Sequence, residues 1–249
     1  MSDTPPLGPT APRPSRRKRL ARLRQRLRTL PIRGDLAALA RIHGTDKGYE
    51  IGAAHGYVAP YHRELSRIRR RVRTVIEIGI GEYADPYRGG ASLRMWKDFF
   101  PRARIVGIDI HDKSRQAERR IRIFQGDQTD VAFLRGVIDE VGPPDLVVDD
   151  GSHVSAHVIA TFRALFPSVR EGGLYVVEDL QTAYWAEYGG AHPGSPDVVT
   201  SMRHFQALTD DLQAADWKPG ARAADPLAAY VARMTFYPKL LFVEKARRR

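Results

Sequence analysis

The sequence contains no cysteine. That excludes disulfides, thiolate nucleophiles, iron–sulfur clusters and cysteine-based zinc sites, so any bound metal would take oxygen or histidine ligands. No apolar run approaches the roughly 18 residues of a membrane span. Also missing is an Asn-Pro-Pro-Tyr-type base-methylating motif, for which Gly142-Pro143-Pro144-Asp145 does not qualify. The folded body also lacks an excess of one charge. The whole chain is at +11, but residues 1–33 hold ten Lys or Arg and one acid, and residues 244–249 hold four bases and one acid. These ends carry +9 and +3, which leaves residues 34–243 at −1. Basicity confined to the ends argues against an active face built for polyanions, and nucleic acid is not expected as a partner.

The chain has 249 residues, of which 43% are hydrophobic and 28% charged, enough to bury one large α/β domain or two small ones. Its first fifteen residues are rich in Pro, Thr and Ser and are expected to be disordered. In the basic segment Arg16 to Arg28 and just beyond, Leu20, Leu23, Leu27 and Leu30 fall at helical spacing. Ser15-Arg16-Arg17 resembles a twin-arginine export signal, yet Arg22, Arg24, Arg26 and Arg28 interrupt the apolar stretch such a signal requires. A cytoplasmic protein is expected, with 1–33 as a basic arm and 34–249 as the folded domain. The arm reads as solvated or partner-binding, with attachment to a membrane surface or RNA left open.

From Asp35 the pattern becomes globular. Asp35 can cap a short helix through Ile42, and a second helix is predicted over Tyr61 to Arg71. Short strands rich in Val, Ile and Leu then alternate with amphipathic helices. The predicted strands are 74–80, 104–110, 120–124, 145–148 and 174–177, and the predicted helices are 91–100, 130–141 and 155–169. Ser195-Pro196 looks like the start of a further helix to about Leu212. Met234–Tyr237 and Leu240–Glu244, split by Pro238-Lys239, read as a terminal hairpin. The predicted class is α/β, a doubly wound and mostly parallel sheet closed by a C-terminal antiparallel hairpin. Such sheets bind ligands beyond the carboxyl ends of their strands.

Those strand ends carry the chemistry. The first reads Glu77-Ile78-Gly79-Ile80-Gly81, half of a glycine fingerprint. The third glycine of a dinucleotide-binding turn is missing, and a polar loop from Ala84 to Gly90 delays the next helix, which suits a ligand without phosphates. Asp109 ends the second strand, where a carboxylate can accept both hydroxyls of a ribose. Asp127 and Gln128 follow the third and can meet an adenine edge. Asp149-Asp150-Gly151-Ser152-His153 follows the fourth, and Glu178-Asp179 the fifth. Neighbouring strands lie about 4.8 Å apart, so Asp150, Glu178 and Asp179 can converge. Three carboxylates that close repel unless a cation sits among them, and hard oxygen ligands favour Mg²⁺. His153, three residues after Asp150, can take a proton from a hydroxyl held there.

Several stretches together carry a resemblance: His43-Gly44-Thr45-Asp46-Lys47, E-I-G-I-G at 77–81, G-G-A-S-L-R-M-W-K at 89–97, G-I-D-I-H-D-K-S at 107–114, F-Q-G-D-Q-T-D at 124–130, D-D-G-S-H at 149–153 and V-E-D-L-Q-T-A-Y-W at 177–185. Over roughly residues 40 to 213 the chain resembles class I S-adenosylmethionine-dependent methyltransferases, and within them the metal-dependent macrolide-sugar O-methyltransferases. The resemblance implies S-adenosylmethionine and Mg²⁺ as cofactors, and a hydroxyl on a natural-product glycoside as acceptor. It implies that Glu77 and Gly79, with the Gly81 turn, border the methionine end of the cofactor, that Asp109 takes the ribose, and that Asp127 and Gln128 lie by the adenine. Thr45 matches a further cofactor contact. Asp150, Glu178 and Asp179 match metal ligands, and His153 the catalytic base. Family members of this kind can carry a sizeable extra N-terminal domain, and a homo-oligomer is left open. Catechol O-methyltransferases share the layout but use Lys as the base, so a catechol-like acceptor stays open as well. An NAD-dependent oxidoreductase and an RNA-binding protein are more remote readings.

Overall fold

A computed structural model describes residues 27–48, 56–81, 83–195 and 197–247. The expected disorder and most of the basic arm lie outside these residues. Its last part does not behave as an arm. Thr29 is fully buried, Leu30–Ile32 forms a 3-10 turn, and Ile32 packs on the core. The folded body therefore begins before residue 34. Leu27 and Leu30 of the predicted apolar stripe point largely to solvent.

Helix α1 (Leu36–His43) starts where predicted, because Asp35 accepts a hydrogen bond from the Ala38 N–H, and it ends at Gly44 in the left-handed region. His43 Nε2 lies 3.0 Å from Asp98 Oδ2 and ties this helix to the sheet-covering layer. Helix α2 covers Val58–Leu65, not Tyr61 to Arg71. Beyond Leu65 a helix would stack Arg63, Arg67 and Arg71 at intervals of four, and the chain instead turns, with the Val72 N–H on Ile68 O. Strand β1 (Thr74–Ile78), helix α3 (Ala91–Phe99), β2 (Arg104–Asp109), β3 (Ile121–Gln125), α4 (Val131–Val141), β4 (Leu146–Asp149), α5 (Ser155–Leu165) and β5 (Leu174–Val177) follow. Asp130 caps α4 through the Phe133 N–H as predicted, and α5 stops two residues before Pro167. Helix α6 (Ser201–Asp211) starts later than predicted. Thr200 caps it, while the Arg203 guanidinium bonds Pro193 O and Val198 O and holds the preceding residues as a loop. Pro196 lies outside the described residues. Strands β6 (Val231–Tyr237) and β7 (Leu240–Lys245) form the hairpin.

The seven strands run in the order β3-β2-β1-β4-β5-β7-β6, parallel except for the hairpin. Consecutive residues on each strand feed opposite cores. Val75, Ile105, Leu146 and Val176 meet α1, α2 and α3, and Ile76, Val106, Val147 and Tyr175 meet α4, α5 and α6. Strand order reverses between β1 and β4, the place where a doubly wound sheet opens a crevice for ligand. Among the described residues, no helix is long and apolar enough to cross a membrane.

β1 ends two residues earlier than predicted because Gly79 turns to φ +82° and sends its N–H to Ile108 O. A Cβ there would stand 1.9 Å from Asp150 O. The two strand ends that border the crevice thus touch through a residue with no side chain. Gly79→Ala should cost about 3 kcal/mol or more, from the clash and the positive φ together. Urea denaturation checks this, and wild-type stability would contradict the close approach.

Candidate active site

On the β1–β2 side of the crevice, Asp109 is held by two backbone donors, the Ile80 N–H on Oδ2 and the His111 N–H on Oδ1, both at 2.9 Å. A carboxylate has about four lone-pair directions, so half of its acceptor capacity remains. Asp127 is exposed, and its Oδ1 accepts from the Thr129 N–H and hydroxyl. The backbone bond from Thr129 holds its carboxyl below the ordinary range. Thr45 follows the α1 cap and is half-buried, with its hydroxyl 3.3 Å from Asp46 Oδ1. Gly81 shares the left-handed turn after β1 at φ +82°. Glu77 is fully buried on β1 and accepts from Ser92 Oγ at 3.0 Å.

Gln128 departs from expectation. Its side chain is buried and bonded within the protein. The amide nitrogen donates to Asp149 Oδ1 and Thr161 Oγ1, and Oε1 accepts from the Ser152 N–H at 2.7 Å. Every polar atom of the amide is spent within the protein, on the end of β4, on α5 and on the loop between them, so Gln128 ties that loop in place.

The acidic pairs after β4 and β5 split by direction. Asp149 turns into the core, where it meets the Tyr175 hydroxyl at 2.9 Å, and burial pushes its carboxyl up to about 7. Asp150 turns into the crevice. Asp179, at φ +49° outside the strand conformation, reaches the crevice, while Glu178 stays buried beside it. Asp179 Oδ1 accepts from the Tyr57 hydroxyl at 2.6 Å and from Gln181 Nε2 at 2.9 Å. His153, itself at φ +58°, brings Nε2 within 3.6 Å of Asp179 Oδ2. Ligand atoms of Asp150, His153 and Asp179 all lie within 4.8 Å of one another. Glu178 stands beside that group and faces inward. Its Oε1 accepts from the Tyr61 hydroxyl at 2.5 Å and its Oε2 from Lys47 Nζ at 2.7 Å.

Lys47 is the residue that strand-end reasoning passes over. Its ammonium is buried among carboxylates: 2.6 Å from Asp150 Oδ2, 2.7 Å from Glu178 Oε2 and 3.3 Å from Glu77 Oε1. The last is an ion pair without hydrogen-bond alignment. Burial alone would lower the lysine pKa, but the three carboxylates outweigh it and hold the ammonium well above its ordinary range. Burial likewise pushes Glu77 up to about 7 and raises Asp150 and Glu178. Three carboxylates thus share one fixed cation, which leaves the site a formal excess of negative charge. Lys47 was visible as the end of the H-G-T-D-K stretch, but that stretch precedes the strand pattern and offers no strand end to place it. Tyr57 and Tyr61, beside and on α2, carried no signal beyond being aromatic.

No protein-family model matches the chain. Among curated proteins it is 47% identical over 211 residues to 8-demethyl-8-alpha-L-rhamnosyl tetracenomycin-C 2'-O-methyltransferase of Streptomyces olivaceus, covering 84% of this chain and 54% of that protein. It is 42% identical over 214 residues to mycinamicin VI 2''-O-methyltransferase of Micromonospora griseorubida, covering 86% and 53%. A solved structure of the MycE methyltransferase from the mycinamycin biosynthetic pathway, in complex with Mg, SAH and mycinamycin VI, superposes with a TM-score of 0.78 at 43% identity, covering 86% of this chain and 54% of that one. The chain spans about half the length of the curated relatives it matches.

Removing one member of a buried ion-pair network costs about 3–5 kcal/mol, because the partner charges are left uncompensated. Lys47→Met keeps the stem and removes the charge, and should lose that much at pH 7.5 in the presence of chelator. The loss should shrink towards pH 5. The buried carboxylates, with pKa values raised further in the variant, bind protons in the folded state before the unfolded chain does, so falling pH favours the fold. Denaturation at the two pH values checks this, and a small or pH-independent loss would contradict the network.

Proposed function

The chain belongs to the family of S-adenosylmethionine-dependent sugar O-methyltransferases, and from that premise we propose that it methylates a sugar hydroxyl on a macrolide or related polyketide glycoside, in a Mg²⁺-dependent reaction. The observation that carries the reading is the convergence of Asp150, His153 and Asp179 at the ends of adjacent strands, next to the β1–β2 turn.

The residues fit both groups. Asp150 and Asp179 offer hard oxygen donors in a crevice with surplus negative charge, the environment a divalent cation neutralises. Glu178 is the third proposed ligand, each of its oxygens keeping a lone pair beyond those given to Lys47 and Tyr61. For the cofactor, Asp109 has acceptor capacity for a ribose, and Gly79 and Gly81 leave the β1 turn without side chains. Glu77 and Thr45 border the methionine end in this reading, and Asp127 the adenine.

S-adenosylmethionine supplies an electrophilic methyl, and Mg²⁺ when bound supplies Lewis-acid stabilisation of charge developing on the acceptor oxygen. His153 accepts the hydroxyl proton at Nε2, and the imidazolium so formed stands 3.6 Å from Asp179 Oδ2, whose charge stabilises it. Lys47 is not the base, since the carboxylates around it hold it protonated. At the place where the catechol-type layout has its lysine base, three residues past the first acid, this chain has His153, which favours a sugar acceptor with a histidine base. A cytoplasmic location accompanies the reading.

General-base help is worth about 10²–10⁴-fold, so His153→Ala should lose kcat on that scale while S-adenosylhomocysteine affinity holds. Asp179→Asn should weaken Mg²⁺ binding in calorimetry with cofactor affinity retained. Full methyl transfer after exhaustive chelation would overturn the metal assignment.

Asp109→Ala removes charge-assisted bonds worth about 1.5–3 kcal/mol each. S-adenosylhomocysteine should bind tenfold or more weakly, and an unchanged Kd would move the ribose elsewhere.

A further inference from the structure

The segment after Asp179 is wound on itself. The Thr182 N–H bonds Asp179 O, the Trp185 N–H bonds Thr182 O, and the Tyr188 and Gly190 N–H groups both bond Trp185 O. Gly190 is so tightly enclosed that a Cβ would stand 2.6 Å from Thr182 O and the Trp185 nitrogen. The coil is also tied to the candidate site. The buried Thr182 hydroxyl lies 3.0 Å from His153 O and 2.8 Å from Asp179 O, and the Leu180 N–H bonds Lys239 O in the β6–β7 turn. A segment held at this many points would be expected to bury its large side chains. Trp185 is instead 46% exposed. Its ring lies 6.0 Å from that of Tyr188, which lies 6.3 Å from the imidazole of His153. The rings form a series of tilted faces leading away from His153.

Topology decides which ligand these rings meet. The residues suited to a nucleoside stand at the ends of β1, β2 and β3, and the aromatic coil follows β5, on the other side of β4. His153 and Asp150 separate the two. A molecule whose hydroxyl reaches His153 from the side away from the nucleoside comes in on the side of Tyr188 and Trp185. Aromatic faces carry negative charge density, and the C–H face of a sugar, more so of a deoxysugar, presents weakly positive hydrogens and apolar area to them.

We propose that Trp185 and Tyr188 form the stacking platform for the C–H face of the acceptor sugar. The coil fixes that platform to the backbone of His153, so that binding and proton acceptance share one rigid piece. The proposal rests on the glycoside reading above and names the acceptor subsite within it.

The test uses the full chain with Mg²⁺ and S-adenosylhomocysteine, and phenyl α-L-rhamnopyranoside as the probe. Calorimetry on the wild type, Trp185→Phe, Trp185→Ala and Tyr188→Ala reads the Kd of probe and cofactor separately, with melting temperature as a check on folding. The platform predicts probe binding at least tenfold weaker in both alanine variants, rescue by Trp185→Phe, and one cofactor Kd throughout. Equal probe affinity in wild type and Trp185→Ala overturns it, as does a wild-type chain that binds cofactor but not the rhamnoside. Should the alanine variants lose cofactor binding and melting temperature together, the rings are structural and the platform is overturned. Probe bound through Trp185 but left unmethylated when S-adenosylmethionine replaces S-adenosylhomocysteine supports the platform while refuting the methyl-transfer reading.

Discussion

One buried ammonium organises this crevice. Lys47 draws Glu77 from β1, Asp150 from the end of β4 and Glu178 from the end of β5 onto a single point, with the Tyr61 hydroxyl completing Glu178. Taking so many charges out of water is costly, and the arrangement persists because each carboxylate meets a cation or a hydroxyl at close range. The negative charge left over is what makes the crevice suited to a divalent cation. Lys47 also joins the segment after α1 to the ends of the sheet, so the cap of the crevice and its floor are held by the same contact.

Around that point the backbone is bent away from its preferred conformations. His153 and Asp179 both adopt positive φ, a conformation that costs a side-chain-bearing residue about 1–3 kcal/mol. The surroundings over-determine both. Gln128 holds the loop of His153 from the core side, Thr182 links His153 to Asp179, and the Tyr57 hydroxyl bonds the carboxylate and backbone of Asp179. The terminal hairpin joins in through Lys239 O. Residues from both ends of the described chain therefore converge on two strained positions in the middle.

Much of this was legible in the sequence. The five parallel strands were found within a residue or two, because fully buried strands read as short runs of Val, Ile and Leu between helical periods. The acids at the strand ends were found for the same reason, since a topological rule places ligands there. The misjudged ends have local causes: α2 stops before its arginines stack, and α6 waits for the Thr200 cap, not the Ser195-Pro196 pair. Gln128 was misread because a polar residue after a strand can face the crevice or the core, and its sequence neighbours do not say which.

By itself the sequence determined the α/β class, the mostly parallel sheet with its terminal hairpin, the identity of the strand-end acids and the proximity of His153 to Asp150. All of these rest on periodicity or on spacing within a few residues. Only the tertiary structure decided that Lys47 lies among the carboxylates, that Asp149 faces the core while Asp150 faces the crevice, and that Trp185 and Tyr188 continue the surface of His153. Lys47 is 103 residues from Asp150 and 131 from Glu178, separations over which no local pattern carries information. The direction of a side chain at a strand end depends on one φ angle, and packing from distant segments sets that angle.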